Sequence, residues 1–336
     1  MKHNKIKRWS IILILLLIIL ILVCILSLCT GSASIDIREI PHILFYGKGS
    51  TDHSILFGIR LPRIILGLSI GGALSLAGAL LQGVFKNPLV EPYTLGISGG
   101  ASLGVCINIL FKLYSKIGII AYPLSGFIGA SLVIFLVYHL NGKTQHVKSN
   151  RMLLTGVMIS YVASSLVMLL MAISRSDDLQ NIVLWIMGSL DEPNPILIKM
   201  TFFGSLAGLV ASYFFCFDLN ALLLGEEEAA NLGVNTTRTK KFVFMIASFL
   251  TGLSVSVAGI IMFAGLIVPH FMRMITGPDH RILLISSFLA GAGFLVISDV
   301  VARVVISPLE LPVGVITGII GGIVFIWALS RKKVTL

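Results

Sequence analysis

The sequence predicts an all-α integral membrane protein of about ten transmembrane helices. Two observations carry this. Of 336 residues, 56% are hydrophobic and only 12% charged, where a soluble domain has about 25% charged. The apolar residues are also gathered into runs near the roughly 20 residues that a spanning helix needs. The net charge of +10 sits largely in the polar stretches between runs, where it sets orientation and does not suggest nucleic acid. Cys24, Cys29, Cys106 and Cys216 lie in or beside apolar runs without metal-ligand spacing, so they read as small hydrophobes.

In chain order, residues 1–10 form a basic cytoplasmic N-terminus with Lys2, Lys5, Lys7 and Arg8. An apolar run over 11–26, extended to Cys29, is the first span. Leu28 before Cys29 suits lipoprotein processing poorly, so the span is expected to be retained. Residues 31–58 read as an external loop with room for a short interfacial helix. Further spans are expected over 61–85, 95–111, 117–140, 152–173 and 196–217. Residues 218–241 form a long polar cytoplasmic loop, with three consecutive glutamates and Gly233 as a C-cap. The seventh span is 242–258. The eighth, 259–274, is short and broken at Pro269. The ninth and tenth are 282–305 and 313–329. Sixteen of the 25 Lys and Arg residues fall on the side of the N-terminus, which places both termini inside.

The organising stretch is 60–104. Arg60 and Arg63 bracket a proline, a Gly-, Ala- and Ser-rich span follows, and a polar break with Pro88 and Pro92 separates it from a second small-residue helix. Small residues let helix backbones approach closely. The break must lie at the interface, be buried in protein or line a cavity, because its freed backbone groups cannot face lipid. A faint echo links Gly67-Leu68-Ser69 with Gly252-Leu253-Ser254. Each precedes a proline-containing segment, Pro88 by 19 residues from Ser69 and Pro269 by 15 from Ser254, a hint of the internal repeats of transporters.

Two long motifs then stand out: RLPR…GALLQG.FKNPLVEPYTLGISGGASLG from Arg60, and VAGIIMFAGLIVPHFMRMITGPDHR…SDVVARVV…ELPVG from Val257. LWIMGSL and LNALLLGEEEAANLGV lie between them. In this order they closely resemble the iron-siderophore, haem and vitamin B12 permeases of bacterial ABC importers, over about residues 60–333. The resemblance implies the fold of the vitamin B12 importer permease, in one transmembrane domain over 1–336, located in the bacterial cytoplasmic membrane. It also implies a homodimer with the path between subunits, two ATPase subunits inside and one binding lipoprotein or periplasmic protein outside. The implied cargo is a metal chelate, with a ferric siderophore first and haem or cobalamin behind it. ATP and Mg would belong to the ATPase, with no cofactor on this chain.

By the same resemblance, Arg60, Arg63 and Arg303 dock the binding protein. An ion pair with Asp299 is the rival explanation for Arg303. Leu222, Gly225, Glu226, Glu227, Ala229 and Gly233 couple to the ATPase, and Asn87 and Leu89 form a cytoplasmic gate. A lone His270 is not read as a metal ligand, and Glu310 reads as a structural residue at a helix start. No catalytic site or P-loop is found: for the one Gly-Lys-Thr, at 142–144, the required earlier glycine is Val137. The alternative is a secondary transporter driven by an ion gradient. That class needs ionisable groups at mid-membrane, and the predicted spans hold almost none.

Overall fold

A computed structural model describes residues 2–31, 38, 43, 50–118, 120–141 and 149–330. Most of the 31–58 loop, the 142–148 loop and residues 331–336 therefore lie outside the described residues. All regular structure described is helical. The ten main helices are α1 (Lys2–Cys29), α2 (Leu61–Phe85), α3 (Ile97–Leu110), α4 (Ala121–Asn141), α5 (Ser149–Ile173), α6 (Pro195–Tyr213), α7 (Thr236–Ala258), α8 (Ala264–Thr276), α9 (His280–Val304) and α10 (Val313–Ser330). Seven are long and apolar enough to cross a membrane, whereas α3, α8 and α10 are shorter.

Helix α2 is the centre of the bundle, and nearly all of it from Arg63 to Phe85 is buried. Glycines make this packing possible. A Cβ on Gly71 would overlap the carbonyl oxygen of Gly291 on α9, and one on Gly78 would overlap that of Gly265 on α8. Helix α1 is the opposite case. It is apolar all round, and Ile11, Ile14, Leu15 and Ile18 remain exposed, as suits a helix that faces lipid.

The structure moves several expected boundaries. The eighth helix is not broken at Pro269 but runs through it, and the non-helical stretch is 259–263. Proline removes the donor that would bond the carbonyl four residues back. Here that carbonyl belongs to Gly265, and Gln82 Nε2 of α2 reaches Leu266 O at 3.1 Å and lies 3.5 Å from Gly265 O. The spacing of the sequence echo therefore does not mark matching breaks. What does recur is a long helix, a break and a short helix: α2, 86–96, α3, and then α7, 259–263, α8. The fourth span starts at Ala121 and not at 117, after Gly118 in a left-handed conformation (φ 79°). The sixth ends at Tyr213, and Phe217 belongs to a separate short helix, Cys216–Leu224. A helix over Ser176–Met187 was not expected. The loop before α2 does carry a short helix, Thr51–Ile55, capped by Ser50 and joined to α2 through a π-turn at Leu56–Arg60.

The two breaks meet each other inside the protein. Phe263 N–H donates to Glu91 Oε1 at 2.8 Å, and Ile261 N–H donates to the Tyr93 hydroxyl at 3.1 Å. Ser75 Oγ donates to Ala264 O at 2.9 Å. Helices α3 and α8, of 14 and 13 residues, are about 20 Å long, against a hydrocarbon core of about 30 Å. The segments that lead into them are joined by these bonds and by Pro92 packed on Gly265.

Gly78→Leu is expected to lower thermal stability in detergent sharply, since overpacking alone costs about 1–3 kcal/mol and the obstacle here is backbone. Gly58→Ala, which meets nothing within 4 Å, is expected to leave the unfolding temperature unchanged.

Candidate functional site

One end of the bundle carries the 216–233 segment. Its two short helices, Cys216–Leu224 and Glu226–Asn231, turn at Gly225 (φ 137°, ψ 159°), a conformation open to glycine. Leu222 and Ala229 are fully buried and anchor one helix each. Gly233 (φ 86°) ends the second helix as the sequence predicts, with Val234 N–H donating to Ala229 O at 3.0 Å. Glu226 is paired with Lys240 of α7. Glu227 and Glu228 are exposed, as are Leu224 and Leu232. The segment thus presents apolar side chains flanked by two carboxylates.

Sequence reasoning missed how this segment is fastened. Asp218 Oδ2 accepts from Thr239 Oγ1 of α7 at 2.7 Å. Asn220 Nδ2 donates to Asp279 Oδ1 at 2.9 Å, and Asn220 Oδ1 accepts the His280 N–H at 2.8 Å. Asp279 caps the start of α9, is gripped by Arg281 at 2.7 Å and meets Lys5 of α1 at 3.2 Å. The Arg281 guanidinium holds the Asp279 carboxyl well below the usual carboxylate range. Because the value is depressed, its contribution to stability is fully present above the ordinary carboxylate pKa and is lost progressively as the pH falls below it. The segment is therefore bonded directly to both α7 and the start of α9. An Asn six residues before the glutamates and an Asp-His-Arg turn 60 residues later carry no local signal that they touch.

At the same end, the turn after α2 begins with Lys86 in a left-handed conformation (φ 48°). Asn87 Oδ1 accepts the Leu89 N–H at 2.9 Å, which fixes the turn, and Leu89 is 48% exposed while Val90 is buried. Asn87 thus shapes the turn, and Leu89 is what it presents.

The opposite end brings Arg60, Arg63 and Arg303 to one place, but as buried and partnered groups. Arg60 donates to Leu28 O, and Arg303 donates to Thr30 O at 2.8 Å and to Ser27 Oγ at 2.7 Å. Both cap the C-terminal end of α1, whose last carbonyls lack helical donors and carry the negative end of the helix dipole. Arg303 also pairs with Asp299 at 2.9 Å one turn earlier, the rival reading of the sequence. Arg63 pairs with Glu310 at 2.7 Å and lies 3.7 Å from Asp191. Glu310 therefore serves as the partner of Arg63. Among the described residues there is no group of three His, Cys, Asp or Glu side chains that could hold a metal ion.

The FecCD transport family profile matches residues 17–331. The chain belongs to the FecCD transport family. It is 38% identical over 309 residues to the Fe(3+) dicitrate transport permease FecD of Escherichia coli, covering 92% of this chain and 95% of the relative. It is 34% identical to the hemin transport permease HmuU of Yersinia pestis, covering 91% and 92%. It is 35% identical to the vitamin B12 import permease BtuC of Vibrio vulnificus, covering 98% and 96%. A solved inward-facing ABC transporter structure, described as of the metal-chelate type, superposes with a TM-score of 0.86 at 31% identity, covering 96% and 99%. The chain is accordingly a multi-pass permease subunit of an ABC importer, distinct from the ATPase. An importer of this kind implies ATPase and binding-protein partners.

Asn220→Ala removes the acceptor of the His280 amide and the donor to Asp279. Leaving such groups unpaired costs about 1–3 kcal/mol. The variant is expected to keep its ATPase in a pull-down yet transport at least tenfold less cargo per ATP hydrolysed. Wild-type stoichiometry would show that α9 is not driven through this contact.

Proposed function

We propose that this permease imports a ferric siderophore through the interface of a homodimer in the bacterial cytoplasmic membrane, with both termini cytoplasmic. Two ATPase subunits, which carry ATP and Mg, dock on the 216–233 segment. One binding lipoprotein or periplasmic protein docks at the end with the arginines. The observation that carries this reading is the coupling segment. Leu222 and Ala229 seat its helices, its exposed face combines leucines with Glu227 and Glu228, and Asp218, Asn220 and Glu226 tie it to α7 and α9. Apolar anchors with a charged rim suit a protein interface. Glu226 is already engaged by Lys240, so Glu227 and Glu228 are the acids that meet the ATPase.

Leu89 stands at the same end and meets its counterpart across the dimer axis as part of a gate. Arg60, Arg63 and Arg303 act in docking by exchange of partners. A carboxylate of the binding protein displaces Glu310 from Arg63 and competes with the α1 carbonyls at Arg60 and Arg303. Glu310 is 39% exposed in its side chain, so Arg63 is the first to be reached. An iron chelate is favoured because two of the three relatives named above are described as carrying iron compounds, a dicitrate complex and hemin.

Uptake into vesicles containing the permease, its ATPase and its binding protein tests the whole reading. ATP-dependent accumulation of a ferric siderophore, and not of haem or cobalamin, is expected. Accumulation that needs an ion gradient and ignores ATP would contradict it. Arg63→Glu is expected to weaken binding-protein affinity at least tenfold at low salt, with a smaller effect at high salt, where screening shortens the reach of charge. Equal affinity at low salt would remove Arg63 from the docking surface.

A further inference from the structure

Beside the coupling segment lies an open groove of about 890 Å³, formed by α6, the Cys216–Leu224 helix and α7. It straddles the end of α6 and the start of α7, where two spanning helices leave the membrane. Its wall is apolar and includes Val210, Phe214, Phe242 and Ile246. Val210 and Phe214 are 59% and 79% exposed, so the groove opens sideways on an apolar face of the bundle. At its polar end stand two groups of opposite charge, Asp218 and Arg238. Among the described residues neither is in an ion pair. Asp218 uses Oδ2 for Thr239, and the Arg238 guanidinium lies over the Phe242 ring, 5.7 Å from its centre.

We propose that this groove holds one phospholipid whose headgroup carries both a phosphate and a primary ammonium, of the phosphatidylethanolamine class. The apolar wall takes an acyl chain, which a free headgroup lacks. Arg238 binds the phosphate as a charge-assisted donor. Asp218 accepts from the ammonium through its remaining oxygen. A headgroup with only a negative charge would place that charge beside Asp218 and leave the carboxylate unanswered. A choline headgroup has no N–H to donate. The inference is independent of the cargo and stands on the charge pattern of the groove. It gives the lipid a role, because Asp218 and Thr239 form one of the bonds that fasten the coupling segment to α7. The bound lipid stiffens that joint, and its loss loosens it.

The test uses the full chain in nanodiscs of equal parts phosphatidylethanolamine, phosphatidylglycerol and phosphatidylcholine, followed by native mass spectrometry. One phosphatidylethanolamine per chain is expected to survive release, enriched at least fivefold over the other two. Val210→Trp, which fills the groove from an exposed position, and Arg238→Gln are expected to abolish the enrichment while unfolding as cooperatively as the wild type. Asp218→Asn is expected to erase the preference over phosphatidylcholine. Phosphatidylglycerol enriched equally or more, no retained lipid, or a Val210→Trp variant that retains the wild-type amount would each overturn the proposal. So would protection of a cysteine placed at 210 by the ATPase or a second copy in lipid-free assemblies.

Discussion

A chain that interrupts its helices within a membrane must pair every backbone group it frees, since lipid offers no partner. This protein interrupts two, and it solves the problem by making the interruptions serve each other. Glu91 and Tyr93, from the break between α2 and α3, accept the Phe263 and Ile261 amides in the break between α7 and α8. Gln82 and Ser75 of α2 reach the first carbonyls of α8, including the one that Pro269 leaves without its ordinary donor. The two halves of the chain are thereby locked together by polar side chains inside the bundle.

Much else follows from that lock. Helix α2 can run beside α8 and α9 at backbone contact only because glycines stand at 71, 78, 265 and 291. The unit of α2, α8 and α9 then reaches both ends of the molecule. At one end α9 begins with Asp279 and His280, gripped by Asn220 of the coupling segment. At the other it carries Arg303, which holds the end of α1, while α2 carries Arg63 and follows directly on Arg60. In the reading proposed above, a push on the 216–233 segment and a change of partner at the arginines would act on the same packed helices. In a close-packed interior such displacements are transmitted and not absorbed.

The sequence shows the spans, the small-residue packing of α2 and the motifs at both ends, because these are local patterns. Gly233 as a cap also follows from local pattern, whereas Leu222 and Ala229 read only as coupling residues and their burial as anchors comes from the structure. What it does not show is pairing at a distance. Pro269 reads as a helix breaker because its rescuer, Gln82, lies 187 positions away in sequence. Arg60 and Arg303 read as exposed docking charges because their acceptors are backbone carbonyls of α1, which have no signature in residue type. Glu310 reads as a residue that favours a helix start because its partner, Arg63, sits at the far end of the chain. The Ser176–Met187 helix is missed because its polar residues suggest a loop, although Ile182 is buried in the bundle.

The pairing of the two breaks is measured most directly by hydrogen exchange at the amides of Ile261 and Phe263 in the intact permease and in Glu91→Ala and Tyr93→Phe variants. Slow exchange at both amides is expected in the unaltered chain. Release of Phe263 is expected in the first variant and of Ile261 in the second, with the ends of α7 and α9 unaffected. Rapid exchange at both positions in the unaltered chain would contradict the lock and, with it, the coupling of the two halves described here.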